Sequence, residues 1–388
     1  MKLREEILEL ISLKQEGGYW DFKREWYHTD KKGDLLHDII CMANNQENRD
    51  AYIIIGVDEE NNYSVRDVSN DGNRKNTQKI VDFLKDKPFV GGVRPLVYVE
   101  SLKVFNEGII DIIVIKNSYN TPFYLTKRYE KVNANNIYTR VMDSNTPVET
   151  SADLKDVEYL WKKRFRLTST PMERIQYYLQ FPQDWLYSPS GYKNEKKYYK
   201  YSPEYTIAYT LSDDKDADRY EYYLFSQPDT TPHWRKIKLY YHQTKIGEFQ
   251  GILLYKAIYF SSVPDKTEIK LSEHNKFDLG IMFNYFIKDS LNYTIHKFYY
   301  NDDEASGEEK FSHDKFMDCI LLFDTKDELL LFKEFAAEEW ENKANYEDNI
   351  NLPYFPELKG YLMSEFERQY KDVQILQRML KQFRNNNF

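Results

Sequence analysis

The sequence predicts an α+β protein, and three observations carry that expectation. Residues 51–57 form an unbroken apolar run, the mark of a strand covered on both faces. Segments of helical periodicity flank it at 2–15 and 34–44. Further along, Asn106-Glu107-Gly108 joins two apolar runs in the manner of a hairpin. A chain of 388 residues is long enough for two domains, each with its own core. The change of texture around 167–171 sets the expected domains at 1–166 and 167–388.

In chain order, residues 2–15 place Leu3, Ile7, Leu10 and Ile11 on one helical stripe that Gly17-Gly18 stops. Residues 19–23 alternate like a strand, with Tyr19, Asp21 and Lys23 on one face and Trp20 and Phe22 on the other. The helix at 34–44 presents Leu35, Leu36, Ile39, Ile40 and Met42. After the central strand, Asn61-Asn62 turns the chain and 63–68 reads as a returning strand. A helix at 77–84 stops before Pro88, and strands follow at 96–105 and 108–115. Residues 121–124 read as a loop, 136–141 as a strand carrying Tyr138 and Arg140, and 153–165 as a helix with a basic end. Residues 172–270 are rich in Tyr and alternate at 205–211, 220–225, 237–241 and 251–260, which predicts a β-rich or mixed region. The segment 278–300 is aromatic and apolar, while 315–335 and 356–383 read as helices.

Hydrophobic residues make up 41% and charged residues 30% of the chain, values of an ordinary globular protein, whereas 34 Tyr is unusual. No apolar run approaches the ~20 residues of a membrane helix, so no membrane role is expected. Cys41 and Cys319 are too isolated for a disulfide framework or a four-cysteine zinc site. The acidic, helical first residues do not resemble a secretory signal, and the expected compartment is the cytoplasm. Net charge is −9, yet residues 302–348 hold 16 Asp and Glu against 5 Lys and Arg, a balance of −11 that leaves the rest at +2. An acidic total therefore coexists with room for a local basic groove. No phosphate-binding Gly-x-x-x-x-Gly-Lys-Ser/Thr loop occurs, so nothing supports ATP binding.

The chemistry concentrates between Glu16 and Glu59. Acids at the ends of apolar strands are unfavourable unless a bound cation or a cationic side chain compensates them. Glu16, Asp21, Asp58 and Glu59 read as ligands of Mg²⁺ or Mn²⁺, ions that favour oxygen donors. Such an ion activates water and neutralises charge on a phosphate. Lys23, on the face of Asp21, would hold the scissile phosphate or the attacking water. The equally simple reading makes these acids solvated residues at a helix end, a strand edge and a turn.

Four features in order resemble the Schlafen AlbA_2-type domain over roughly residues 10–155. These are Glu16 followed by Asp21-Phe22-Lys23, the helix ending Ala43-Asn44, Ile53-Ile54-Ile55-Gly56-Val57 followed by acids, and Thr121-Pro122-Phe123-Tyr124 followed later by Tyr138-Thr139-Arg140-Val141. The resemblance implies a mixed sheet with flanking helices. It also implies a metal-dependent endoribonuclease cutting structured RNA such as tRNA, in a bacterial antiphage or toxin-like role. Carried over, the family's three acids fall on Glu16, Asp21 and one of Asp58 or Glu59, with Glu59 favoured. Asp21 is shorter than the family's Glu, Glu59 is longer than its usual Asp, and residues 46–50 replace its Gly-Gly. The alternative that stays open is a nucleic-acid-binding regulator without catalysis, or a scaffold subunit of a defence complex. In the latter case a partner protein would grip the acidic 302–348 segment, and a homo-oligomer is equally open.

Candidate nucleic-acid contacts, with RNA favoured over DNA, are Arg24, Tyr138 and Arg140 in the first half. In the second half they are Lys193, Lys196, Lys197 and Lys200, from a segment that interleaves lysine with tyrosine. The bland readings are half-buried strand residues for Tyr138 and Arg140, and a solvated loop for the lysines. The second half as a whole is expected to grip the substrate or a partner, leaving the chemistry to the first.

Overall fold

Residues 51–55 are apolar at every position because helices cover their sheet on both sides. A computed structural model describes residues 3–104, 108–188, 196–212, 219–271 and 280–387. It divides the chain into two units, Met1–Ser169 and Thr170–Phe388. The first unit runs α1 (Leu3–Ser12), β1 (Trp20–Lys23), α2 (Lys32–Ala43), β2 (Ala51–Ile55), β3 (Val57–Asp58), β4 (Ser64–Val65) and α3 (Thr77–Lys85). It continues through β5 (Val97–Val104), β6 (Gly108–Ile115), β7 (Arg140–Val141), β8 (Ser144–Asn145) and α4 (Leu154–Arg164). The main sheet has the order β1-β2-β6-β5, with β1 parallel to β2 and the other pairs antiparallel.

On one face Trp20, Phe22, Tyr52, Ile54, Ile112 and Val114 pack with Ile7 and Leu10 of α1. On the other, Ile53, Ile55 and Ile113 pack with Leu36, Ile39 and Ile40 of α2. Asp21 lies opposite Ile53 in register, so its carboxyl belongs to the face that α2 covers. Gly56 ends β2 at φ 104°, where a Cβ would come within 2.7 Å of the Arg66 carbonyl oxygen. That kink detaches Val57-Asp58 into a separate short pairing with β4.

Two expected strands are shorter than the sequence suggests. Residues 63–68 pair only at Ser64–Val65, and 136–141 only at Arg140–Val141. The reason for the second is Asn44, fully buried at the end of α2. Its amide donates to the Phe123 carbonyl at 2.8 Å and the Tyr138 carbonyl at 2.7 Å, and accepts from the Phe123 N–H at 2.8 Å. Thr139 adds a hydroxyl bond to the Asn44 carbonyl at 2.5 Å. The backbone of 121–124 and 138–139 is thus held by a side chain rather than by a ladder. That arrangement gives the Ala-Asn pair of the sequence a structural meaning.

The second unit runs α5 (Pro171–Tyr178), β9 (Trp185–Tyr187), β10 (Lys196–Tyr199), β11 (Ser202–Leu211), β12 (His233–Tyr241), β13 (Thr244–Leu254) and β14 (Tyr259–Ser262). It continues with β15 (Asp265–Ile269), β16 (Ile281–Ile287), α6 (Leu291–Tyr299), α7 (Gly307–Met317), β17 (Leu321–Phe323), α8 (Lys326–Glu339) and α9 (Met363–Asn387). Strands β9 to β14 form an antiparallel meander in chain order, and β15-β16-β17 form a smaller mixed sheet. Two expectations change here. Residues 222–226 form a buried 3₁₀ turn rather than a strand, and β17 interrupts the helix expected over 315–335. Among the described residues no helix is long and apolar enough to cross a membrane.

Asp111 on β6 is the most deeply committed acid of the first unit. Fully buried, it accepts from Trp26 Nε1 at 2.8 Å, Arg74 Nε at 2.6 Å and Nη2 at 2.7 Å, and Ser101 Oγ at 2.6 Å. Removing it strands a guanidinium, an indole N–H and a hydroxyl at once. Asp111→Ala should therefore destabilise the unit by about 3–5 kcal/mol in urea unfolding, and Asp111→Asn by less. A loss under about 1 kcal/mol for the alanine variant would contradict this account.

Candidate active site

Glu16 lies in the turn after α1, and the strand geometry of β1 puts Asp21 and Lys23 on one face two residues apart. These three converge with Arg140 of β7 and Asp38 of α2. Arg140 is 2% exposed and donates from Nη2 to Glu16 Oε2 at 2.6 Å, from Nε to the Gly17 carbonyl at 2.7 Å and from Nη1 to Asn145 Oδ1 at 3.1 Å. The same Nη1 stands 3.5 Å from Asp21 Oδ1. The Glu16 carboxylate also accepts the Phe22 N–H at 2.9 Å, which closes the turn onto the strand.

Lys23 bonds Asp21 Oδ2 directly and lies 4.0 Å from Asp38 Oδ2, so one ammonium bridges two acids. Asp38 further accepts from Tyr27 Oη at 2.6 Å and Asn145 Nδ2 at 2.9 Å, and lies 3.7 Å from His37 Nδ1. His37 Nε2 donates to the Thr146 carbonyl at 2.9 Å.

Burial, and then a hydrogen bond with Glu16, push the Asp21 carboxyl up to about 8 against the opposing charge of Lys23. Asp21 thus holds its proton to a higher pH than an ordinary carboxyl does. Burial alone would raise Asp38 too, but its bond from His37, the Lys23 charge and the Tyr27 hydroxyl hold it below the usual range. The charges of Asp21 and Asp38 outweigh the burial of Lys23 and raise its ammonium. One carboxyl is poised to lose a proton whenever a further cation arrives.

The other expected site residues are dispersed. Asp58 pairs with Arg24 Nε at 3.5 Å. Glu59 is exposed in the turn after β3, near Tyr63, whose phenol is raised first by desolvation and then by the charges of Glu59 and Glu16. Among the described residues no group of three His, Cys, Asp or Glu side chains is placed to hold a metal ion. Tyr138 is fully buried, its hydroxyl donating to the Val148 carbonyl at 2.9 Å, and Arg140 is spent on Glu16. Neither offers a face to a base, so the structure replaces the nucleic-acid contact expected of them with core roles.

Of the four lysines, Lys193 lies outside the described residues. Lys196 and Lys197 sit on β10, an internal strand of the meander, where a loop was the alternative, and Lys200 is tied to Asp184 at 2.7 Å.

Sequence reasoning missed Asp38, Tyr27, His37 and Asn145. The one available signal was Asp38 itself, an acid inside the apolar run 35–42.

The raised Asp21 carboxyl carries a pH dependence. Its folded value of about 8 exceeds the ordinary carboxyl value of 3.8. Its contribution to stability is therefore complete below about pH 4 and declines as pH rises toward 8. Asp21→Asn removes that decline. The melting temperature of the variant minus that of wild type should grow by several degrees between pH 4 and pH 8, at about 2–4 °C per kcal/mol for a unit of this size. A difference that stays flat with pH would refute the protonated Asp21.

Residues 16–149 match the family model described as Schlafen, AlbA_2. No curated protein matches the chain. The matched span contains Glu16, Asp21, Lys23, Asp38, Asn44 and Arg140, and it ends inside the first unit. The family carries a nucleic-acid-related function, and no named relative narrows it further. With the matched span added to the four ordered motifs, residues 16–149 form a Schlafen AlbA_2-type domain, which lies within the first unit.

Proposed function

We propose that the first unit is a metal-dependent endoribonuclease that cuts structured RNA such as tRNA. The observation that carries this reading is the convergence of Glu16, Asp21 and Lys23 in one cluster, with a proton held on Asp21 up to about 8. The donor chemistry fits Mg²⁺ or Mn²⁺. Mg²⁺ usually takes one or two carboxylates and keeps several waters, so Glu16 and Asp21 suffice without a preassembled third ligand. Glu59 is the acid assigned as third, at the rim beside Tyr63.

When bound, the ion would supply an activated water and neutralise charge on the phosphate. Each protein group then has a task. Asp21 would give up its proton and serve as a ligand. Arg140, out of contact with solvent, fixes the Glu16 carboxylate in place. Lys23, whose side chain is 32% exposed, is the cation that reaches outward to a phosphate oxygen while Asp38 holds its position. Arg24, more than half exposed beside Asp58, meets the flanking backbone. RNA as substrate, and a place in antiphage defence, rest on the resemblance.

One observation favours a second reading. Arg140 and Lys23 already compensate the two acids, as a non-catalytic, nucleic-acid-binding domain would require. Two measurements separate the readings. Wild type should cut tRNA with Mn²⁺ or Mg²⁺, and Glu16→Ala/Asp21→Ala should lose activity by on the order of 10²–10³. Calorimetry in buffers of different ionisation heat should show Mn²⁺ uptake releasing about one proton near pH 7, lost in Asp21→Asn. Equal cleavage by wild type and the double variant, or no metal uptake, would leave the binding module.

A further inference from the structure

The six-stranded meander of the second unit has two chemically different faces. Directly opposed residues in antiparallel strands point to the same side. Lys197, Ile207 and Leu239 are opposed in register, and Ile207 and Leu239 are fully buried with Ile175 of α5 and Phe298 of α6. That is the inner face, where the Lys197 ammonium lies 4.7 Å from the Tyr187 ring and 5.3 Å from that of Phe298.

The opposite parity tells another story. One row of the outer face reads Lys196, Ala208, Lys238, Glu248, and the next reads Leu186, Tyr198, Thr206, Tyr240, Lys245. A third row carries Thr210, Lys236 and Gln250. Four lysines and two tyrosines therefore share one side of strands β10 to β13, a band about 14 Å wide at ~4.8 Å per strand. The lysines and tyrosines bracket the short residues Ala208 and Thr206, both of which are buried beneath them. Lys196 lies 5.9 Å from the Tyr240 ring, so charge and ring belong to one surface.

The field of this face is positive. Glu248 bonds Lys245 at 2.6 Å, and that bond, with the Lys236 and Lys238 charges, holds its carboxyl below the ordinary range. Glu204, by parity, is the other acid of this side. Among the described strand residues of this side the lysines outnumber the acids four to two, on a chain whose net charge is −9. A basic patch against such a background is complementary to a polyanion. Tyr198 and Tyr240, both partly exposed, offer rings of the kind on which unstacked bases stack.

We infer that the outer face of strands β10 to β13 binds single-stranded nucleic acid, its phosphates on Lys196, Lys236, Lys238 and Lys245 and its bases on Tyr198 and Tyr240. This surface is independent of the metal chemistry of the first unit, and it is not the lysine set that the sequence singled out. Of that set only Lys196 belongs to it.

Binding of a fluorescent 20-nucleotide single strand, as RNA and as DNA, is measured by anisotropy on the full chain in EDTA, so that no cleavage enters. Changing the four lysines together to Gln should weaken binding at least tenfold and reduce the salt slope by about 3, at ~0.7 per phosphate contact. The pair Lys238→Gln/Lys245→Gln should give about half that change, and it serves if the quadruple variant melts early. Tyr198→Ala and Tyr240→Ala should each weaken binding by about 5- to 150-fold. Four lysines changed elsewhere, at Lys310, Lys326, Lys343 and Lys359, should have little effect. The proposal falls if affinity and slope survive the outer-face lysine changes, or if the control lysines matter as much. It also falls if the tyrosine variants bind as wild type does, which would make the face a general anion surface. None of these results bears on whether Glu16 and Asp21 cut RNA.

Discussion

A guanidinium buried to 2% exposure is the constraint on which the first unit turns. Desolvating Arg140 is costly, and the cost is offset only where every donor finds an acceptor. Those acceptors are Glu16, the Gly17 carbonyl and Asn145, with Asp21 close by, so a residue 124 positions downstream fixes the loop that opens the motif. The strand segment bearing Arg140 is only two residues long. It is held in place from α2, where Asn44 takes the carbonyl of Tyr138. The family's separate sequence signatures are thus one object: Ala-Asn grips the loop and the Tyr-x-Arg element, and the arginine grips the first acid.

The charge count of the cluster explains why it can be both stable and receptive. Glu16, Asp21 and Asp38 face two cations, Lys23 and Arg140. With all three acids ionised the site would carry one uncompensated negative charge in a poorly solvated place. The proton on Asp21 removes that charge. Under the proposed function a divalent ion would take the proton's place, which would couple its binding to pH. A site with a third permanent cation would be more stable and would have no such response.

How much of this was legible beforehand follows from which interactions are local. The helix at α2, the strand at β2 and the hairpin of β5 and β6 were readable because their periodicity and apolar content are continuous along the chain. Asp21 and Lys23 sharing a face followed from strand parity alone. Asp38 was not readable as part of the site, since its neighbours Tyr27 and Asn145 come from elements 11 and 107 residues away. The strand expected over 136–141 failed for a related reason. The backbone there bonds the Asn44 side chain at Tyr138 and residues 146, 151 and 152 at Ile137 and Thr139, contacts that carry no period. Likewise, β17 is only three residues and sits between two helices, too short to register against their pattern.

The same distinction governs the second unit, where lysines one residue apart have different roles. In a strand, neighbours in sequence are opposites in space, so Lys196 and Lys197 of one Tyr-Lys run face the outer and inner sides of the sheet. A count of basic residues in a segment cannot separate them; the register with β11 and β12 can. Once register is known, the relevant neighbours of Lys196 are Lys238 and Tyr240, about 40 positions away, and the segment that looked like a unit divides. Lys197 sets its ammonium beside the exposed Tyr187 ring and the buried Phe298 ring. Lys200 closes an ion pair with Asp184. The basic surface is therefore a property of four strands together, and its lysines come from β10, β12 and β13 in positions that alternate with the buried Ile237 and Leu239.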